Sequence, residues 1–188
     1  MKQNILFLLI FFIYACQRNT ETSIQKQPPV SATSESINDS CAYFLNECRM
    51  YDDMINKSQN FDKQIAIKAN NSFVKYGLLC KNDSLCPIYL MKAAQLSQAI
   101  GYIQMSEKYL LKVITDYNKS KLLPAAKFLL AQYYSDTKVL NKPEQAKKLL
   151  NEIIKDYPNT VWAENATAAL KWVGQSDEKI IREIKKSK

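Results

Sequence analysis

From about residue 39 onward, apolar side chains recur at three- and four-residue steps with polar ones between them, the period of helices with one buried side. No alternating run of useful length points to a strand, and three glycines in 188 residues leave little for sheet hairpins. The clearest stretch is 124–160, PAAKFLLAQYYSDTKVLNKPEQAKKLLNEIIKDYPNT. Pro124 suits a first helical position, because the donor it lacks would be unpaired there anyway. Leu129, Leu130, Ala131 and Tyr134 then fall on one side of a first helix. After a polar turn at Asp136 to Asn141, Pro143 opens a second helix carrying Ala146, Leu149, Leu150, Ile153, Ile154 and Tyr157, and Pro158 stops it.

The same pattern occurs one unit earlier. Segment 87–120 has an opening proline, Ala93 and Ala94 in its first helix, then Leu110, Val113 and Ile114 and an Asp116-Tyr117 ending that matches Asp156-Tyr157. The turn of the later unit is a few residues longer. A third unit begins at Val161 and fades into a short basic helix at 177–186, as a terminal cap would. A lone helix pair cannot bury both its faces, so repeated pairs predict a stack.

Ahead of these units, 39–82 reads as a helical hairpin. Asp39 or Ser40 can cap its first helix, with Cys41, Phe44, Leu45, Cys48, Tyr51 and Ile55 on one side. Asn56 to Asn60 is its turn. The second helix carries Ile65, Ala69, Phe73, Tyr76 and Cys80, and polar KNDSL leads into Cys86-Pro87.

The chain starts differently. Lys2 precedes an apolar run from Ile5 to Tyr14 that ends in Ala15-Cys16, which reads as a secretory signal. The run falls well short of the roughly 20 residues a helix needs to cross about 30 Å of hydrocarbon. Ile13-Tyr14-Ala15-Cys16 resembles a bacterial lipobox, which implies diacylglyceryl attachment to the Cys16 thiol and permanent anchoring by two or three chains. An ordinary cleaved signal is the other reading. Residues 17–38 hold almost no large apolar side chains and suit a flexible tether, reaching some tens of ångströms at roughly 5 to 6 Å times the square root of its length. The expected division is therefore signal 1–15, anchor and tether 16–38, cysteine hairpin 39–86, helix-pair repeats 87–174 and basic cap 175–188.

Besides Cys16 there are four cysteines, Cys41, Cys48, Cys80 and Cys86, an even number in a chain that looks exported. Cys41 and Cys48 sit two helical turns apart, about 10 Å, beyond the roughly 7 Å that a bridge allows between Cα atoms. Each must pair outward. Folding the hairpin brings Cys41 level with Cys80, leaving Cys48 with Cys86; the swapped pairing is open as well. Two such bridges would staple the hairpin internally and to the repeats.

The repeated units resemble tetratricopeptide repeats: Ala131, Ala146, Leu150, Ile153 and Pro158 match that motif, with Ala94, Ser106, Leu110, Val113 and Asn118 as equivalents in the earlier unit. DYPNTVWAENAT (156–167) is similar to a junction in the BamD-type outer-membrane assembly lipoproteins and in the Tol-Pal-associated division coordinators. The likeness covers roughly 87–174 and departs at Asn118, Lys127 and Glu164. It implies an all-α fold, a short right-handed superhelix of stacked helix-turn-helix units behind the disulfide-stapled hairpin. It also implies a concave groove lined by the first helix of each pair, which by register would hold Gln95, Gln98, Phe128, Gln132, Ser135, Trp162, Asn165 and Trp172. Amides and aromatics of that kind suit an extended or helical peptide, with amides bonding its backbone and rings as anchors. Phe128 and the tryptophans can equally be packing between helices.

No histidine is present, which removes Ser-His and Cys-His nucleophile pairs and imidazole metal ligands. No Gly-rich phosphate loop is present either, and carboxylates such as Glu152 and Asp156 fall on what read as solvated faces. An enzyme, a metal, a cofactor and a small-molecule substrate are therefore not expected. The net charge of +8, about +7 once Lys2 leaves with the signal, is concentrated late in Lys179, Arg182, Lys185, Lys186 and Lys188. This last helix suits acidic lipid headgroups, an acidic partner, or simple solvation with cations at a helix C-terminal end. Nucleic acid is not an expected partner, since the aromatic residues sit at core spacing. Together these readings describe an envelope scaffold, lipid-anchored and facing the periplasm at the outer membrane, that holds a protein partner. The alternative is a structural or oligomerising subunit of an envelope complex without a groove ligand; an envelope hydrolase, the third class, would need a catalytic constellation that the sequence does not show.

Overall fold

The computed structural model describes residues 34–186. The signal, the lipidation candidate Cys16, most of the expected tether and Lys188 lie outside the described residues. Among the described residues eight helices follow one another: α1 (Ser34–Lys57), α2 (Lys63–Leu79), α3 (Cys86–Ala99), α4 (Ile103–Asp116), α5 (Leu123–Ser135), α6 (Pro143–Asp156), α7 (Val161–Leu170) and α8 (Asp177–Lys186). Among the described residues there is no strand.

Local chemistry sets these boundaries. Pro87, Pro124 and Pro143 stand at the first positions of α3, α5 and α6, where a missing N–H costs nothing. Asp62 caps α2, its Oδ1 accepting from the N–H groups of Gln64 and Ile65 at 2.8 and 3.1 Å. Thr160 caps α7 through Ala163 N–H. Gly101 and Gly174, at φ 93° and 74°, turn the chain between α3 and α4 and after α7, in a conformation that a Cβ disfavours. The α1 helix starts at Ser34 instead of at a cap on Asp39 or Ser40. Both of these residues lie inside it, so the helix reaches into the segment assigned to the tether.

Each helix from α1 to α6 packs on the next, and α5 also touches α7. Side-chain links show that neighbours run antiparallel. Ser97 near the end of α3 donates to Asn70 in the first half of α2 at 3.1 Å, and Tyr134 at the end of α5 donates to Glu107 at the start of α4 at 2.7 Å. The larger core holds Phe73, Tyr76, Leu90, Ala93, Ala94, Leu110, Val113 and Leu130, running from α2 to α5. A smaller one at the far end gathers Ala131, Leu150, Ile153 and Ala166. Small residues set the spacing: a Cβ on Gly77 would lie 2.6 Å from Leu90 Cγ, so α2 and α3 meet at a distance that only glycine permits.

The cysteines divide unequally. Cys41 and Cys80 are bridged, with Cα atoms 5.7 Å apart, joining the first turns of α1 to the end of α2. The expected second bridge between Cys48 and Cys86 is absent; both are buried free thiols, so no covalent staple joins the hairpin to α3. The Cys86 thiol has another use, donating at 2.6 Å to the Cys80 carbonyl at the end of α2, which also accepts from Asp83 N–H at 2.8 Å. Burial pushes the Cys48 thiol up to about 12, which keeps it protonated and unreactive.

Two charged groups are folded into the stack. Lys127, where the repeat pattern calls for a large apolar residue, is 8% exposed and pairs with Glu152 at 2.9 Å and Asp156 at 3.3 Å across α5 and α6. These two carboxylates, assigned to solvated faces from sequence, therefore have a structural partner. Glu107 accepts from Tyr134 and, at 2.6 Å, from Lys142, whose ammonium also lies 5.1 Å from the Tyr134 ring centroid. Burial raises the Glu107 pKa, but the Lys142 and Tyr134 hydrogen bonds outweigh it and hold the carboxyl below its ordinary value.

Candidate functional site

A concave cleft of about 350 Å³ opens where α5, the end of α7 and the start of α8 converge. Its floor comes from Ala131 and Leu150, which belong to the smaller core, and from Ala169 and Val173. Small side chains at 131 and 169 leave the space, since a larger residue at either would fill it. Gln132 and Ser135 enter from the exposed side of α5, Asp136 and Thr137 from the turn after it, and Trp172 and Gln175 from the turn after α7. Ile180 of α8 closes one edge. The Gln175 carboxamide donates to the Lys171 carbonyl at 2.8 Å, which leaves its buried oxygen without a partner.

Of the eight groove residues named from sequence, three meet here: Gln132, Ser135 and Trp172. Phe128 and Trp162 do not join them; their rings pack on each other, with centroids 6.0 Å apart, against the smaller core. Phe128 lies two helical turns before Ser135 along α5, so the ring pair sits away from the cleft. Gln95 lines a separate hollow of about 190 Å³ with Asp52, Ile55, Phe73 and Lys92. Gln98 and Asn165 are exposed. The register therefore holds for one helix only. A 3.6-residue period turns successive groove positions around the axis, and the position of the neighbouring helix decides which of them face a common space.

Thr137 and Gln175 are not legible in the sequence, because both belong to turns where no period operates. The proximity of Gly174 is the one available signal, since its positive φ redirects the chain back over α5. Trp172 also lies past the end of α7 instead of on it.

The cleft suits binding. It combines an indole, two amides, two hydroxyls and small apolar floor atoms, the mixture that anchors a peptide side chain and bonds its backbone. Among the described residues no group of three cysteines, aspartates or glutamates is placed to hold a metal ion. No described helix is long and apolar enough to cross a membrane. No family model matches the chain, and neither a curated protein nor a solved structure matches it significantly.

Proposed function

We propose that this chain is a protein-binding scaffold of the bacterial envelope, anchored through Cys16 and presenting tetratricopeptide-like helix pairs to an extended or helical segment of a partner. The observation that carries the reading is the meeting of Gln132, Ser135 and Trp172 in one cleft with an apolar floor. Trp172 would be the anchor, covering an apolar partner side chain, and the Gln132 and Gln175 amides would bond its backbone. The signal-like start and the lipobox-like Cys16 support the membrane half of the reading, and the repeat resemblance supports a right-handed superhelix and a place in outer-membrane assembly.

Capture from native envelopes tests it. The wild-type chain should retain a protein that Gln132→Ala plus Trp172→Ala loses while the circular dichroism stays helical. An unchanged set of captured proteins would sink the cleft as the binding surface.

One observation favours an oligomerising subunit instead. Tyr43, Met50 and Met54 are 59, 48 and 41% exposed and follow helical spacing along α1, where no further described helix covers them. A solution mass that doubles with concentration, and falls back on Met50→Glu, would support that second reading.

A further inference from the structure

A larger cavity lies away from the α5–α7 cleft. About 650 Å³ separates two turns, Lys81 to Ser84 between α2 and α3 and Tyr117 to Leu122 between α4 and α5. Pro87, Ile88, Tyr117 and Leu122 give it an apolar wall, and Ile88 is 36% exposed there. Three lysines, Lys81, Lys119 and Lys121, stand around it. The two carboxylates lining it are already engaged: Asp83 accepts from Leu85 N–H at 2.8 Å, and Asp116 accepts from Lys112 and from the Thr115 hydroxyl. None of the three lysines makes an ion pair among the described residues, although Lys81 lies near enough to Asp116 to add to the pull of Lys112 and Thr115 that holds this carboxyl below its ordinary value.

The chain supplies its own control. The corresponding turn one unit later runs Tyr157-Pro158-Asn159-Thr160-Val161, against Tyr117-Asn118-Lys119-Ser120-Lys121 here. The two turns close differently: Ser120 Oγ accepts from Leu122 N–H ahead of α5, whereas Thr160 caps α7 by accepting from Ala163 N–H, after Asn159 at φ 61°. Lys119 and Lys121 are both exposed, and the later turn carries Asn159 and Val161 at the aligned positions. Asn118, the departure from the repeat's proline, lines the same cavity.

We propose that this cavity is a second binding site, independent of the α5–α7 cleft, for a short acidic peptide segment. One apolar side chain would rest on Pro87, Ile88, Tyr117 and Leu122, and flanking carboxylates would meet Lys81, Lys119 and Lys121. Ammonium groups on flexible stems suit exposed carboxylates that need no bidentate fit. A bare oxyanion would leave the apolar wall uncovered, whereas a cavity of this size takes an organic ligand.

The full chain, ¹⁵N-labelled in nonionic detergent, would be titrated with an acetylated Glu-Leu-Glu-Glu-Leu-Glu peptide. Amide shifts should concentrate at Ile88 and Asn118 to Lys121. Lys119→Asn plus Lys121→Val, which copies the later turn, should keep the spectrum folded and weaken the peptide about tenfold, as should raising the salt. The site is overturned by no response, by shifts elsewhere, or by equal affinity in the double variant. Equal shifts with inorganic phosphate or with anionic phospholipid vesicles would overturn the peptide as its ligand.

Discussion

The two ends of the stack solve the same packing problem with different thoroughness. From α1 to α4, long helices are bridged by Cys41–Cys80 and locked around fully buried Phe73, Tyr76, Leu90 and Leu110. At the far end, a ten-residue α7 covers a much smaller core, a ten-residue α8 packs only lightly, and Ile181 is 52% exposed. The cleft lies at this second end. Burial supplies stability in proportion to apolar area removed from water, so a region that leaves space for a ligand gives up part of that stabilisation.

Perturbing each end separately would test this contrast. The largest effect belongs to Phe73→Ala, expected to cost about 3 to 5 kcal/mol in denaturant unfolding, because it empties a site with no room to collapse. If it cost no more than a surface change, the idea of a rigid first half would fail. Removing the bridge with Cys41→Ser plus Cys80→Ser should cost about 2 to 4 kcal/mol. In the same preparation, thiol labelling of the native wild-type protein should leave Cys48 and Cys86 unreacted until denaturant is added; a mass that showed a second bridge would contradict the buried thiols.

A smaller effect separates the two ends by pH. The depressed Glu107 pKa means that its contribution is fully present above the ordinary glutamate value of about 4.3 and is lost as pH falls through the lower folded value. Glu107→Gln should therefore cost about 1 kcal/mol at neutral pH and flatten the acid limb of the stability curve below about pH 4.3. An unaltered acid limb would show that the Tyr134–Glu107–Lys142 link between α4, α5 and the next turn carries no such role. The least effect is expected for Ile181→Ser on α8, within about 0.5 kcal/mol. A loss of several kcal/mol would show that α8 is an integral part of the fold and would erase the difference between the two ends.

Much of the fold can be read from the chain because its signals are local. Pro124 and Pro143 mark helix starts, Leu150 and Ile153 mark the buried side, and the repeated Asp-Tyr endings mark the unit, all within a few residues of each other. The pairing of Cys41 with Cys80 is one of two arrangements that helix length alone allows. Less can be said of the site. Gln132 and Ser135 are legible because they sit on the uncovered side of one helix, whereas Phe128 has the same register and is covered by Trp162, a ring from another helix.

By itself, then, the sequence determined where helices begin and end, which side of each is apolar, and that they come in pairs, because hydrogen bonds within a helix and the spacing of apolar residues are properties of neighbouring positions. Only the tertiary structure decided that Cys48 and Cys86 remain unbridged thiols, that buried Lys127 finds Glu152 and Asp156 across the α5–α6 seam, and that Trp172 lines the cleft beside α5. Each of those depends on the distance and angle between elements far apart in the chain. Such distances come from the sum of many small contacts, and no single stretch of residues encodes them.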